Sequence, residues 1–123
     1  MKGILIDVEK CEIREVELKA KLEDYYRLIG CDLITCVYYP NLEKHDVICD
    51  DEGLLKEIKG MFSIDDENDP QIAGNGLILK VTPNGNWVSS KLTVEDVKQR
   101  ITFWKVISTS VGRLIVRMPK KEG

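Results

Sequence analysis

Cationic and aromatic side chains gather toward the C-terminal end of the chain: Arg100, Phe103, Trp104 and Lys105, then Arg113 and Arg117. Guanidinium groups grip phosphate or carboxylate through forked hydrogen bonds, and an aromatic ring beside them can stack a base. Arg113 and Arg117 are four positions apart, so on a strand they point to the same side. With Lys98, Lys120 and Lys121 they would form one basic face for a ligand or a partner. The competing reading places both aromatics in the core and leaves the cations as an ordinary solvated face.

Carboxylates cluster at Asp46, Asp50, Asp51 and Glu52. Acids this close could hold a hard cation or raise one another's pKa for proton transfer. At a strand-to-helix junction the same acids cap free N–H groups and offset the helix dipole, which is the simpler reading; otherwise they form an acidic contact surface. Asp65, Glu67 and Asp69 begin like a calcium loop, but Pro70 and Gly76 stand where that loop needs glycine and glutamate. Gly74-Asn75-Gly76 precedes a strand, whereas phosphate-binding glycine loops follow one, so it reads as a turn. Cys11, Cys31, Cys36 and Cys49 form no Cys-x-x-Cys pair. One histidine, His45, would have to serve every catalytic dyad or metal set one could draw. The cysteines therefore read as reduced thiols, and neither a metal nor a cofactor is assigned.

Charge is divided along the chain. Residues 1–90 carry 10 Lys+Arg against 18 Asp+Glu, and residues 91–123 carry 8 against 3, for an overall −3. Such segregation creates a strong local field. The acidic bulk, with a pI near 5.2, disfavours extended nucleic acid and leaves a small anionic ligand or an acidic protein surface as the better partner. At 43% apolar and 32% charged, the 123 residues suit one globular domain. No uncharged stretch is long enough to span a bilayer, and Asp7 and Glu9 interrupt the apolar N-terminus too soon for a signal peptide. A cytoplasmic protein away from membranes is expected.

These residues are carried by elements whose signals are local. Residues 4–6 and 13–18 read as a hairpin. Leu22, Tyr25, Tyr26 and Ile29 make a helical stripe that Gly30 stops. Residues 32–39 and 45–49 read as strands joined by a turn at Pro40-Asn41, and residues 52–58 as a short helix behind Asp50 or Asp51. Residues 65–70 are a loop, residues 76–82 a strand, Asn84-Gly85 a hairpin turn, and Trp87-Val88 the return. Thr93 caps a helix expected to run to about Trp104, with a strand over residues 102–108 as the alternative. Residues 113–118 close the chain as a strand. The sum is an α+β domain over residues 1–123, with a largely antiparallel sheet and two or three helices. Residues 101–123 would be a basic extension packed on or beside it.

Residues 28–34, the segment Asp46-Val47-Ile48-Cys49-Asp50-Asp51-Glu52-Gly53-Leu54-Leu55-Lys56, Gly74-Asn75-Gly76-Leu77-Ile78 and Leu92-Thr93-Val94-Glu95-Asp96 carry a resemblance. Over about residues 2–100 the chain resembles a family of small uncharacterised phage and mobile-element proteins of Gram-positive bacteria, a domain of unknown function. The family implies no catalytic residue. It implies an accessory role, and genes of that kind often encode stoichiometric inhibitors of host defence. The expected function is thus a non-enzymatic binder of a host protein. Sequestration of a nucleotide-like anion is the alternative, and a metal-dependent enzyme at Asp50, Asp51 and Glu52 the weakest; a homo-oligomer stays open.

Overall fold

The computed structural model describes residues 1–38 and 42–119. The turn at Pro40-Asn41, the end of the strand at Tyr39, and Lys120 and Lys121 lie outside the described residues. All strand pairings are antiparallel. The larger sheet runs β2 (Glu12–Glu17), β1 (Lys2–Asp7), β7 (Gly76–Val81), β4 (His45–Asp50), β3 (Ile34–Tyr38), with β8 (Trp87–Val88) on the end of β7. The smaller sheet runs β10 (Gly112–Arg117), β9 (Ile101–Thr109), β5 (Met61–Ile64), β6 (Ile72–Ala73). The molecule is roughly α+β and mostly β.

Alternation decides the layers. On β1, Ile4 and Ile6 face one side with Val47, Cys49 and Ile78 of the neighbouring strands, and meet Phe62, Ile64 and Ile101 of the smaller sheet. The opposite side of the larger sheet presents Ile48, Leu77 and Leu79 to Tyr25 and Ile29 of α1 (Leu22–Ile29). Both faces of the central strands are therefore covered, and β1 loses the polar alternation of a half-exposed strand. Helix α1 ends where Gly30 turns left-handed at φ 80°, its N–H returning to the Tyr26 carbonyl. Among the described residues no helix is long and apolar enough to cross a membrane.

Two expected helices are shorter than the sequence suggests. Helix α2 (Val94–Lys98) opens on a full capping box between Thr93 and Asp96 but ends at Lys98. Ile101–Thr109 is strand, because its first four residues pair with β5 and three of them, Ile101, Thr102 and Trp104, are buried there. Residues 52–58 hold only a 3-10 turn at Gly53–Leu55. Glycine is required there by close approach: a Cβ at Gly53 would stand 2.8 Å from the Ala73 carbonyl oxygen. Strands β5 and β6 were not anticipated.

Candidate functional site

Strand β9 is used in two halves. Residues 101–104 pair with β5 and are buried except for the half-buried Phe103, whereas residues 105–109 pair only with β10. The second half, with β10, forms a two-stranded arm extending about 17 Å past the sheet. Its surface is apolar for an exposed element: Ile107, Val111, Leu114, Ile115 and Val116 are all exposed, Val111 at 96%. Residues 101–119 contain Lys105, Arg113 and Arg117 and no acid. The arm is thus a basic, apolar hairpin whose outer strand is an open sheet edge.

The register divides the expected basic face. Arg113 pairs with Ser108 and Arg117 with Trp104, so both arginines share one side of the hairpin. Lys105 pairs with Val116 and lies on the other side. Arg117 donates through Nη1 to the Glu67 carbonyl at 3.1 Å, while Lys105 and Arg113 make no ion pair with a described residue. Arg100 sits below the arm, its Nη1 3.4 Å from Asp65 Oδ2 and its carbonyl accepting from the Asp65 N–H.

Neither aromatic stands where a base could stack. Trp104 is 8% exposed and packs with Met61 and Ala73, its Nε1 donating to Ser63 Oγ at 3.0 Å. Phe103 points to the opposite side and packs, half-buried, between the two sheets. Phe103 and Trp104 therefore mount the arm, and its exposed surface is aliphatic and cationic.

The four acids do not converge. Asp46 accepts from Trp87 Nε1 at 3.0 Å, and Trp87 meets the Tyr25 ring edge-on. Asp50 accepts from the Glu52 N–H through Oδ1 and pairs with Lys56 Nζ at 3.0 Å through Oδ2, a hydrogen bond that raises the Lys56 pKa. Asp51 and Glu52 are exposed on the turn and make no ion pair with a described residue. Among the described residues no three His, Cys, Asp or Glu side chains are grouped to hold a metal ion.

The same turn displays Leu54 and, at 82% exposure, Leu55. Leu33, also exposed, is tied to it by the bond from the Asp51 N–H to the Leu33 carbonyl. The sequence offers these acids as a contact surface but suggests a helix for Leu54 and Leu55 and a strand for Leu33, so the exposure of the leucines beside the acids is not legible in it. Beside the turn lies a cleft of about 350 Å³ between the end of α1, residues 53–59 and the β6–β7 turn. Three cations reach it, and each is already paired: Lys56 with Asp50, Lys59 with Glu9, and Arg27 with Asp24.

His45 is a structural pin. Its Nδ1 lies 2.7 Å from the Glu43 carbonyl, which sets Nδ1 as the donor and leaves Nε2 to accept from the Lys91 N–H at 3.0 Å. Both nitrogens are spent on backbone. Burial pushes the Cys49 thiol up to about 11, and desolvation also raises Cys31 and Cys36, the reverse of what an activated thiolate needs.

Residues 1–103 match the family described as domain of unknown function (DUF3846), and the chain belongs to that family. No curated protein and no solved structure matches it. The match takes in both sheets up to Phe103 and ends where β9 leaves β5, so the arm lies beyond it.

Proposed function

We propose that this DUF3846 protein is a non-enzymatic binder whose basic arm engages an acidic surface on another protein. In this reading it is an accessory protein of a phage or mobile element of Gram-positive bacteria. It acts in the cytoplasm by occupying the surface of a host defence protein. The observation that carries the reading is the arm: exposed apolar side chains on both of its sides, cations without acids, and an open strand edge, all on a rigid mount. Exposed apolar surface of this kind marks interaction sites, and an unpaired edge accepts an added strand. The charge gives orientation and rate, the aliphatic residues the burial.

The test is reconstitution. A protein retained by the intact chain is purified and titrated against wild type and an Arg113→Glu/Arg117→Glu variant. A one-to-one complex that weakens with salt and is lost in the variant supports the reading. Equal binding by both removes the arm from the function.

A second reading is sequestration of a small anion. Arg27, Lys56 and Lys59 around the cleft favour it, although each would first have to leave an acidic partner. A thermal-shift screen with nucleotides and inorganic phosphate, compared between wild type and Lys56→Gln/Lys59→Gln, decides it. A ligand at about a hundred times its Kd raises stability by roughly 2.7 kcal/mol, and the variant must lose that gain.

A further inference from the structure

Among the described residues nine large apolar side chains are exposed, and all but Leu22, at the start of α1, sort by charge. Five lie on the basic arm: Ile107, Val111, Leu114, Ile115 and Val116. Three, Leu33, Leu54 and Leu55, lie on or beside the acidic turn with the exposed Asp32, Asp51 and Glu52, none of which stands within ion-pair distance of a described cation. One chain therefore displays a basic apolar projection and an acidic apolar patch. Each has the chemistry to cover the other.

We propose that the protein forms a closed dimer in which the arm of each copy seats on the acidic leucine turn of the other. This names a partner for the arm and so rests on the binding reading above. Two arms and two turns are all filled in a two-fold pair, with no site left over to propagate a filament. The simplest competing arrangement, edge-to-edge pairing of two β10 strands, is opposed by the arm's own sequence. An antiparallel pair centred on Ile115 would set Arg113 opposite Arg117 of the second copy, and like charges directly opposed destabilise a sheet. The arginines thus select against that register of β10 self-pairing and favour a carboxylate-bearing surface. The pairing of arm and turn follows from charge and hydrophobicity together.

Sedimentation velocity on the full chain reads the outcome, up to about 500 µM protein and at about 0.05 and 0.5 M salt. The expected result is a monomer–dimer equilibrium that weakens at least about tenfold at the higher salt. Arg113→Glu/Arg117→Glu and Asp51→Lys/Glu52→Lys should each give monomer, and the four substitutions combined should restore the dimer. Circular dichroism and the thermal midpoint confirm that each variant folds, and Leu55→Ser, at a side chain 82% exposed, should weaken the dimer without a change of charge; an unchanged dimer there removes the turn from the interface. A wild type that stays monomeric at low salt overturns the dimer, as does a turn reversal that leaves it intact or a combined variant that fails to restore it. The two readings fail separately. A monomeric wild type that still retains the purified partner removes only the dimer. A dimer lost on arm reversal, with partner binding unchanged, removes the arm from partner recognition.

Discussion

Replacing Gly76 by alanine sets two effects of opposite sign against each other. Gly76 lies on the central strand β7, facing the smaller sheet, and a Cβ there would stand 2.5 Å from Phe62 Cζ, 3.0 Å from Phe62 Cε1 and 3.4 Å from Val47 Cγ1. Carbon atoms rest at about 3.5–4.0 Å, so the overlap with the ring is about 1 Å. Phe62 is fully buried on β5, the strand that also carries β9 and the arm, so its ring has little room to retreat. Propensity alone favours the substitution, since glycine within a strand costs roughly 0.5–1 kcal/mol relative to alanine. Overpacking a close-packed core costs about 1–3 kcal/mol. The steric term wins, and Gly76→Ala should destabilise by about 1–2 kcal/mol net, or several degrees in Tm for a domain of this size. Phe62→Leu removes the offending ring edge, so the double variant should be more stable than the sum of the two single costs by about 1 kcal/mol. Urea unfolding followed by tryptophan fluorescence measures all four proteins. A Gly76→Ala protein as stable as wild type, or a strictly additive cycle, would refute the claim that overlap with the Phe62 ring outweighs the propensity gain.

The Thr102 hydroxyl is buried without a hydrogen-bond partner among the described residues. Thr102→Val keeps the shape and removes the cost, so the urea midpoint should rise by the equivalent of about 1 kcal/mol; a fall would mean the hydroxyl is bonded. Burial pushes the Asp7 carboxyl up, but the hydrogen bond from Arg14 at 2.9 Å and the N–H groups of Lys10 and Glu9 outweigh it and hold the pKa below 3.8. Its stabilisation is therefore complete above the unfolded value near 3.9 and lost as pH falls through the lower folded value. Asp7→Asn should cost about 2 kcal/mol at neutral pH, with the gap closing in strong acid; a pH-independent gap refutes the assignment. For the cysteines, mass spectrometry after brief treatment of the native protein with a maleimide at neutral pH should find Cys36 labelled. Cys31 and Cys49, both buried, should react only after unfolding.

Local signals were legible in the sequence and tertiary ones were not. The first hairpin, the α1 helix with its Gly30 stop, the Asn84-Gly85 turn and the Thr93 capping box each depend on residues within a few positions, and each stands where its chemistry put it. Of the helical stripe, Tyr25 and Ile29 are buried while Leu22 remains exposed. The Val94, Val97, Ile101 and Trp104 spacing was real but misleading, because pairing with β5, far away in sequence, converts its second half to strand. Strand β5 is buried at all four positions and β6 is two residues long, so neither offers a period to read. The same limit hid the split of Lys105 from Arg113 and Arg117. Which side of a hairpin a residue takes depends on register, and one step changes it.

The divided charge, visible in composition alone, acquires its meaning from the rigidity of β9. A basic segment on an acidic body would ordinarily fold back and neutralise itself, and a flexible tail would do so. Here Lys105 rides on a continuous strand of nine residues whose first half pairs with β5, and Arg113 and Arg117 ride on β10, which is paired to it, so the arm is held away from the carboxylates of residues 1–90. Among the described cations of the arm, Arg117, at the base, reaches back to the Glu67 carbonyl. The field of the arm is therefore left for water and salt or for another molecule, and its aliphatic side chains remain exposed with it. Maintaining an exposed apolar edge risks aggregation, and charged residues on β10 reduce that risk, most directly in the self-pairing register centred on Ile115. A hairpin built this way is poorly suited to stabilising its own domain and well suited to being covered by a surface of opposite charge.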